Sequence, residues 1–263
     1  AVVSVQGLSP SFVCRWVKAR KRFHFIRNDL AESDPTGKVQ INEYATQMDA
    51  YLCVSRTAYD SLVANFPRVK EQAFVLYNLL DASSMRRLAG HNGDPYASYS
   101  GLLKVVTVCR LQDRSKGLLR MLSVHRRLRD EGVDYHWFVV GDGLDRERLE
   151  HAVAASGMGD RFHLMGLQAN PYPYYRFADV AATLSYYEGL CGTVNEAKVL
   201  GKPLIATRFS GIEEQIGGLQ GGLIVENDED SIHEGMKRIL TDDALRASLT
   251  NTNLSPAILD DAS

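Results

Sequence analysis

Short apolar runs alternate with longer amphipathic segments along most of this chain, and the alternation is most regular in its second half. LKVVTVC at 103–109 reads as a strand, a helix follows over about 117–130, then YHWFVV at 135–140, a helix over about 145–155 and RFHLM at 161–165. A short helix near Tyr174, VAATL at 180–184, LIAT at 204–207 and LIVE at 223–226 continue the pattern. Apolar runs of this length suit strands buried on both faces, and their alternation with helical periods predicts a parallel sheet covered by helices on both sides. The first half is sparser: AVVSVQ, a helix near 10–19, RFHFI, AYLCVS, a helix over Thr57–Asn65 and AFVLY. Between the halves HNGDPYASYSG at 91–101 is rich in turn formers, lacks an apolar period and reads as a linker. The expected organisation is a partial Rossmann-like domain over 1–95, a complete one over 96–250 and a frayed tail over 251–263. Ala1 stands where an initiator Met is expected, and no turn or cap precedes the first strand, so the chain reads as a fragment of a longer protein.

One stretch ties these elements together, SYYEGLCGTVNEAKVLGKPLIATRFSGIEEQI at 185–216. Thr193 suits a helix N-cap, Glu196 stands three residues later as a capping box requires, Gly201 suits C′ and Pro203 blocks continuation. A helix is therefore predicted over about 194–200, with the EGLCG loop at the carboxyl edge of the sheet, where open α/β folds bind ligands. Glu188 borders that crevice, and Glu196, in the first helical turn, leans back toward it. Gly189 and Gly192 allow close backbone approach, and amides around Leu190, Cys191, Gly192 and Thr193 offer an anion site. Two carboxylates beside an anion site fit a ligand with hydroxyls and phosphates, such as a nucleotide sugar. The bland alternative makes Glu196 a capping residue and Glu188 a loop acid. At the end of the first strand of this half, CRLQDRSKG places Arg110 and Lys116 on one loop, able to reach a diphosphate; alternatively Lys116 merely precedes a helix.

These residues resemble the retaining glycosyltransferases of family 4 (glycosyl transferases group 1), among them bacterial capsular, lipopolysaccharide and exopolysaccharide enzymes. Their paired glutamates fall in S-x-x-E-G-x-G-x-x-x-x-E-A-x-x-x-G-x-P, matched by Ser185, Glu188, Gly189, Glu196, Ala197, Gly201 and Pro203, with Cys191 where Gly is usual. The G-R-L…K-G motif is matched by Arg110 and Lys116, with Cys109 in place of Gly. The resemblance implies the GT-B fold of two Rossmann-like domains, the N-terminal one incomplete here. It implies metal-independent, retaining transfer of a sugar from a nucleotide diphosphate sugar, UDP-sugar favoured, to a glycan or glycolipid hydroxyl. Arg110 and Lys116 would hold the leaving diphosphate, Glu196 the ribose and Glu188 the donor sugar. The donor side also takes in Gly141 and Met165. Where a subset of the family has His before Asn-Asp, this chain has Arg27 before Asn28 and Asp29. Arg27 is then either a contact for donor or acceptor oxygens, taken here as an acceptor-side candidate, or a surface arginine at a strand end.

A net charge of −2 argues against an electrostatic nucleic-acid binder, and no apolar run reaches the length of a bilayer span. Cys14, Cys53, Cys109 and Cys191 have neither CxxC nor metal spacing, which suits the reducing cytoplasm. With no HExxH and no His/Cys cluster, neither a metal nor another cofactor is expected. Arg15, Lys18, Arg20, Lys21 and Arg22 fit a peripheral contact with the inner membrane face, or, more simply, a solvated helix C-terminus. GDG at 141–143 reads as a tight turn, GGLQGG at 217–222 as structural and Asp228-Glu229-Asp230 as an acidic helix start. Two other functions stay open: a nucleotide- or partner-binding module without catalysis, which Arg27 and the missing opening unit favour, and a sugar-nucleotide epimerase.

Overall fold

A computed structural model of the chain describes residues 1–5, 10–27, 30, 35–99, 101–217, 221–250 and 259–260. The first half contains β1 (Val2–Val5), α1 (Pro10–Trp16), β2 (Arg22–Ile26), α2 (Pro35–Tyr44), β3 (Ala50–Cys53), α3 (Arg56–Asn65), β4 (Ala73–Val75), β5 (Leu79–Leu80) and α4 (Ala82–Ala89). Strands β1 to β4 form a parallel sheet in sequential order. Its core gathers Ile26, Leu30, Ile41, Met48, Tyr51 and Leu62. The loop residue Leu190 of the second half packs against that same core, so the two halves meet at the predicted EGLCG loop.

The second half runs β6 (Lys104–Val108), α5 (Asp113–Lys116), α6 (Leu118–Asp130), β7 (His136–Val140), α7 (Arg146–Ser156), β8 (Phe162–Leu164), α8 (Tyr172–Phe177) and β9 (Val180–Thr183). It continues with α9 (Gly192–Val199), β10 (Leu204–Thr207), α10 (Ile212–Ile216), β11 (Leu223–Val225), α11 (Glu229–Thr241), α12 (Asp243–Ser248) and β12 (Leu259–Asp260). Six parallel strands lie in the order β11-β10-β9-β6-β7-β8. This is the doubly wound order of a Rossmann fold, and β6 and β9 are the neighbours at which the winding reverses. Neighbouring residues on each strand feed opposite cores: Val105, Trp137, Val139, Ala182 and Ile205 face one, and Val106, Phe138, Val140, Ala181 and Ala206 face the other. Burial on both faces explains why these strands read as continuous apolar runs.

Several segments make contacts that their composition did not announce. The predicted linker is strapped to the sheet: Tyr96 is buried, donates its hydroxyl to Tyr174 O at 2.9 Å and packs on Phe138 with ring centres 4.4 Å apart, while Tyr99 contacts Phe138 at 5.0 Å. Two aromatic anchors suffice to fix a segment without apolar period. Helix α4, upstream of the expected boundary, packs against α8 and α9 of the second sheet's half. In the expected tail, Leu259–Asp260 pair in parallel with Leu79–Leu80. Helix α1 ends at Trp16, so most of the basic run follows it, and there Arg15 pairs with Glu43 and Lys21 with Asp49. GGLQGG lies partly outside the described residues, as do Asn28 and Asp29. Asp228 caps α11 through the Ser231 N–H at 2.8 Å, as the acidic helix start implies.

Candidate functional site at the switch point of the second sheet

The carboxyl ends of β6 and β9 carry the two predicted motifs, so the winding reversal brings them together. Lys116, closing α5, forms an ion pair with Glu188, and Ser185 Oγ donates to the same carboxylate oxygen at 2.7 Å. Burial works to lower the Lys116 pKa, but the Glu188 carboxylate and neighbouring thiols outweigh it and leave the ammonium above its ordinary value. Lys116, predicted as a diphosphate ligand, is thus held by the first of the paired glutamates. Arg110 is exposed at the end of β6 and lines two cavities at once.

The first cavity, about 350 Å³, is built by the second half alone. Its walls include Val108, Val140, Gly141, Leu167, Pro171, Thr193 and Glu196. The second, about 360 Å³, straddles both halves, with Arg27, Val54 and Asn78 facing Arg110, Glu188, Gly189 and Leu190. Arg27 therefore stands opposite the glutamate loop rather than apart from it. His24 does not: it is buried, with Nδ1 2.8 Å from Ser4 Oγ. Met165 packs against the sheet's core; Leu167 and Gln168, two and three residues on, line the first cavity in its place.

The capping box at Thr193 and Glu196 is not formed. The N-cap is Cys191, in extended conformation, and no side chain caps the helix. Gln215 on α10 explains the shift. Its Oε1 accepts from the Cys191 N–H at 2.9 Å, while its Nε2 donates to Cys191 O at 2.8 Å and to Asn195 Oδ1 at 2.5 Å. The Cys191 amide is accordingly spent inside the protein and drops out of the expected anion site, leaving the Gly192 and Thr193 amides at the helix start. Gln215 was invisible in the sequence, since a glutamine in IEEQI carries no motif. The other helix end is as expected: Gly201 adopts φ 66°, and Gly201 N–H and Lys202 N–H bond to Lys198 O and Ala197 O at 3.0 and 2.9 Å, a Schellman stop.

Freed from capping, Glu196 lines the first cavity with its Oε2 buried and unpartnered. Burial raises its pKa to about 7, against a hydrogen bond from Tyr175 that lowers it. A buried acceptor without a donor is costly, and ligand hydroxyls would satisfy it. Gly141, at φ 143°, lets the β7 end press on the β6 end: a Cβ there would sit 1.9 Å from Cys109 O. The glutamate loop is held from behind as well, by Thr207 Oγ1 to Ser185 O at 2.6 Å and Arg120 to Leu184 O at 2.5 Å. All four cysteines are free, and burial pushes the Cys109 and Cys191 thiols up to about 12 and about 11. Among the described residues no three His, Cys, Asp or Glu side chains converge as a metal site would require, and no helix is long and apolar enough to cross a membrane.

Two Rossmann-like halves with a crevice at the second sheet's switch point define a GT-B architecture. The family described as Glycosyl transferases group 1 matches residues 94–254, and the chain belongs to it. It is 26% identical over 205 residues to the N-acetylgalactosamine-N,N'-diacetylbacillosaminyl-diphospho-undecaprenol 4-alpha-N-acetylgalactosaminyltransferase of Campylobacter jejuni, covering 77% of this chain and 54% of that protein. It is 31% identical over 126 residues to the lipopolysaccharide core biosynthesis glycosyltransferase LpsD of Rhizobium meliloti, covering 48% and 36%. The chain thus spans about half or less of these relatives. Among solved structures, Anabaena Alr3699/HepE in complex with UDP-glucose aligns with TM-score 0.75 at 17% identity, covering 92% of this chain and 68% of that one.

Proposed function

We propose that the chain is the donor-binding part of a retaining, metal-independent glycosyltransferase that moves a sugar from a UDP-sugar to a glycan or glycolipid hydroxyl. The observation that carries this reading is Arg110 at the junction of two cavities, one holding Glu196 and the other Glu188. A nucleotide sugar has the matching order: nucleoside beside Glu196 and the apolar wall, diphosphate at Arg110, sugar beside Glu188. In the transfer the bond from the anomeric carbon to the phosphate oxygen breaks and its electron pair leaves on the diphosphate, while the acceptor hydroxyl oxygen forms the new bond to that carbon and its proton passes to the departing phosphate oxygen. The Arg110 guanidinium stabilises that growing charge, with the Gly192 and Thr193 amides behind it. Lys116, paired with Glu188, would join once the ligand competes with that carboxylate for it. Arg27 would serve the acceptor side of the straddling cavity.

One relative is named for a diphospho-undecaprenol acceptor and the other for lipopolysaccharide core biosynthesis, which supports a glycolipid or glycan acceptor. Exposed Phe12 and Trp16 beside the basic run support peripheral contact with a membrane, to be checked by sedimentation with anionic vesicles. The central test is calorimetry with UDP, GDP and ADP in chelator. One of them, UDP by this reading, should bind with micromolar affinity; binding only in the presence of Mg²⁺ or Mn²⁺, or none at all, would overturn the assignment.

A further inference from the structure

Helix α10 is five residues long, and its adjacent residues Glu214 and Gln215 grip different parts of the site. Gln215 holds the donor loop at Cys191, as described above. Glu214 reaches into the other half of the molecule. Both its carboxylate oxygens accept from the Arg56 N–H, at 2.8 and 2.9 Å, and Oε2 also from the Thr57 N–H at 3.3 Å. The Tyr77 hydroxyl donates to Oε1. Arg56 and Thr57 open α3, and their N–H groups have no intrahelical acceptor. Ser55 serves only the next one, Ala58, at 3.0 Å, and the first turn of α3 contains no acid. The favourable negative charge at that helix end therefore comes from the other half of the molecule.

Two further features place this contact at the wall of the straddling cavity. Gly211, just before α10, has φ 81°, and a Cβ on it would stand 2.5 Å from Gly189 O and 4.0 Å from Ser55 Oγ. The start of α10 thus presses on the glutamate loop and lies close to Ser55, just before α3. Tyr77 immediately precedes Asn78, which lines that cavity together with Val54 and Arg27. None of the residues lining the first cavity lies on α10.

We propose that Glu214 is a positioning residue for the sugar-bearing part of the donor. Its carboxylate docks the first half on the second through the α3 N-terminus and Tyr77, and so sets Arg27, Val54 and Asn78 opposite Glu188. The proposal rests on the reading of the straddling cavity as the sugar site. It separates two effects: breaking the contact disorders the sugar cavity and leaves the nucleotide cavity intact.

The test compares the unsubstituted chain with Glu214→Ala, Glu214→Gln and Tyr77→Phe, by amide hydrogen exchange and by calorimetry with UDP and with UDP-glucose. Glu214→Ala should speed exchange at Arg56 and Thr57 at least tenfold and keep UDP affinity within twofold. It should also shrink any affinity difference between UDP-glucose and UDP. Glu214→Gln, which keeps one acceptor oxygen, should restore part of both effects, and Tyr77→Phe should show them in milder form. Unchanged exchange in a folded Glu214→Ala chain overturns the proposal, as does an equal loss of UDP and UDP-glucose binding. Should the unsubstituted chain bind neither nucleotide, the donor reading fails, while exchange at Arg56 and Thr57 still decides whether Glu214 docks the halves.

Discussion

The two cavities that share Arg110 are of nearly equal size and differ in how they are made. The one holding Glu196 is framed by the ends of β6 and β7 and the start of α9, all anchored in a sheet buried on both faces. The one holding Glu188 needs Arg27, Val54 and Asn78 from the other sheet's half, and so exists only while the two halves are docked. In the proposed reading the nucleotide would be held by one half of the molecule, while the sugar would meet surfaces contributed by both. The two glutamates differ in the same sense. Glu188 is already neutralised by Lys116, whereas Glu196 has a buried oxygen awaiting a donor.

Removing the shared residue should have the largest effect. Arg110→Ala is expected to weaken UDP binding by about 1.5–3 kcal/mol, or roughly tenfold to a hundredfold. Transfer in a longer protein carrying this chain should fall further, since negative charge grows on the leaving group. Equal loss in binding and turnover would confine Arg110 to the ground state.

Next comes the backbone contact that shapes the nucleotide cavity. Gly141→Ala puts a Cβ 1.9 Å from Cys109 O at a φ that side chains rarely adopt, and should cost about 3 kcal/mol of stability, read from denaturant midpoints. Gly192→Ala, where a Cβ meets nothing within 4 Å, should stay within about 0.5 kcal/mol. Similar losses at both positions would deny the first cavity its rigid frame.

Glu196 provides a pH signature. Its folded pKa is raised from 4.5 to about 7, so between those values the folded chain holds a proton that the unfolded chain releases. The group's contribution to stability is full below about pH 4.5 and is lost as pH rises through 7. If ribose hydroxyls bind the ionised form, as proposed, UDP affinity should move oppositely, rising about tenfold between pH 6 and 8. Glu196→Gln removes this component and leaves only the ligand's own titration. A pH profile identical in both chains would show that Glu196 does not meet the nucleotide.

The smallest effect on nucleotide binding is expected at the other glutamate. Glu188→Gln releases Lys116 and should leave UDP affinity within about threefold, while most transfer is lost in the longer protein. A loss of UDP binding matching that of Glu196→Gln would erase the division between the two cavities.

Much of this protein was determined by the sequence alone, because some of its signals are local. Buried parallel strands need unbroken apolar runs, so VVTV, HWFVV, VAAT and LIAT could be placed within a residue or two. A helix ended by Gly201 and Pro203 announces its stop through backbone geometry at adjacent positions. That Arg110, Lys116 and the glutamate motif lie along one sheet edge was legible as well, since each follows a strand and strand ends share one edge of a parallel sheet. Tertiary structure decided the rest, because those interactions join residues far apart in the chain. Cys191 rather than Thr193 occupies the N-cap position of α9 because Gln215, 24 residues away, takes both its backbone groups. Lys116 meets Glu188 across 72 residues because the winding reverses between β6 and β9. Tyr96 holds a segment that its turn-forming composition marks as a linker, since one buried ring carries no periodicity. Glu214 had no signature for a different reason. A carboxylate can stabilise any helix N-terminus it reaches, and only the docking of the two halves brings α3 within reach.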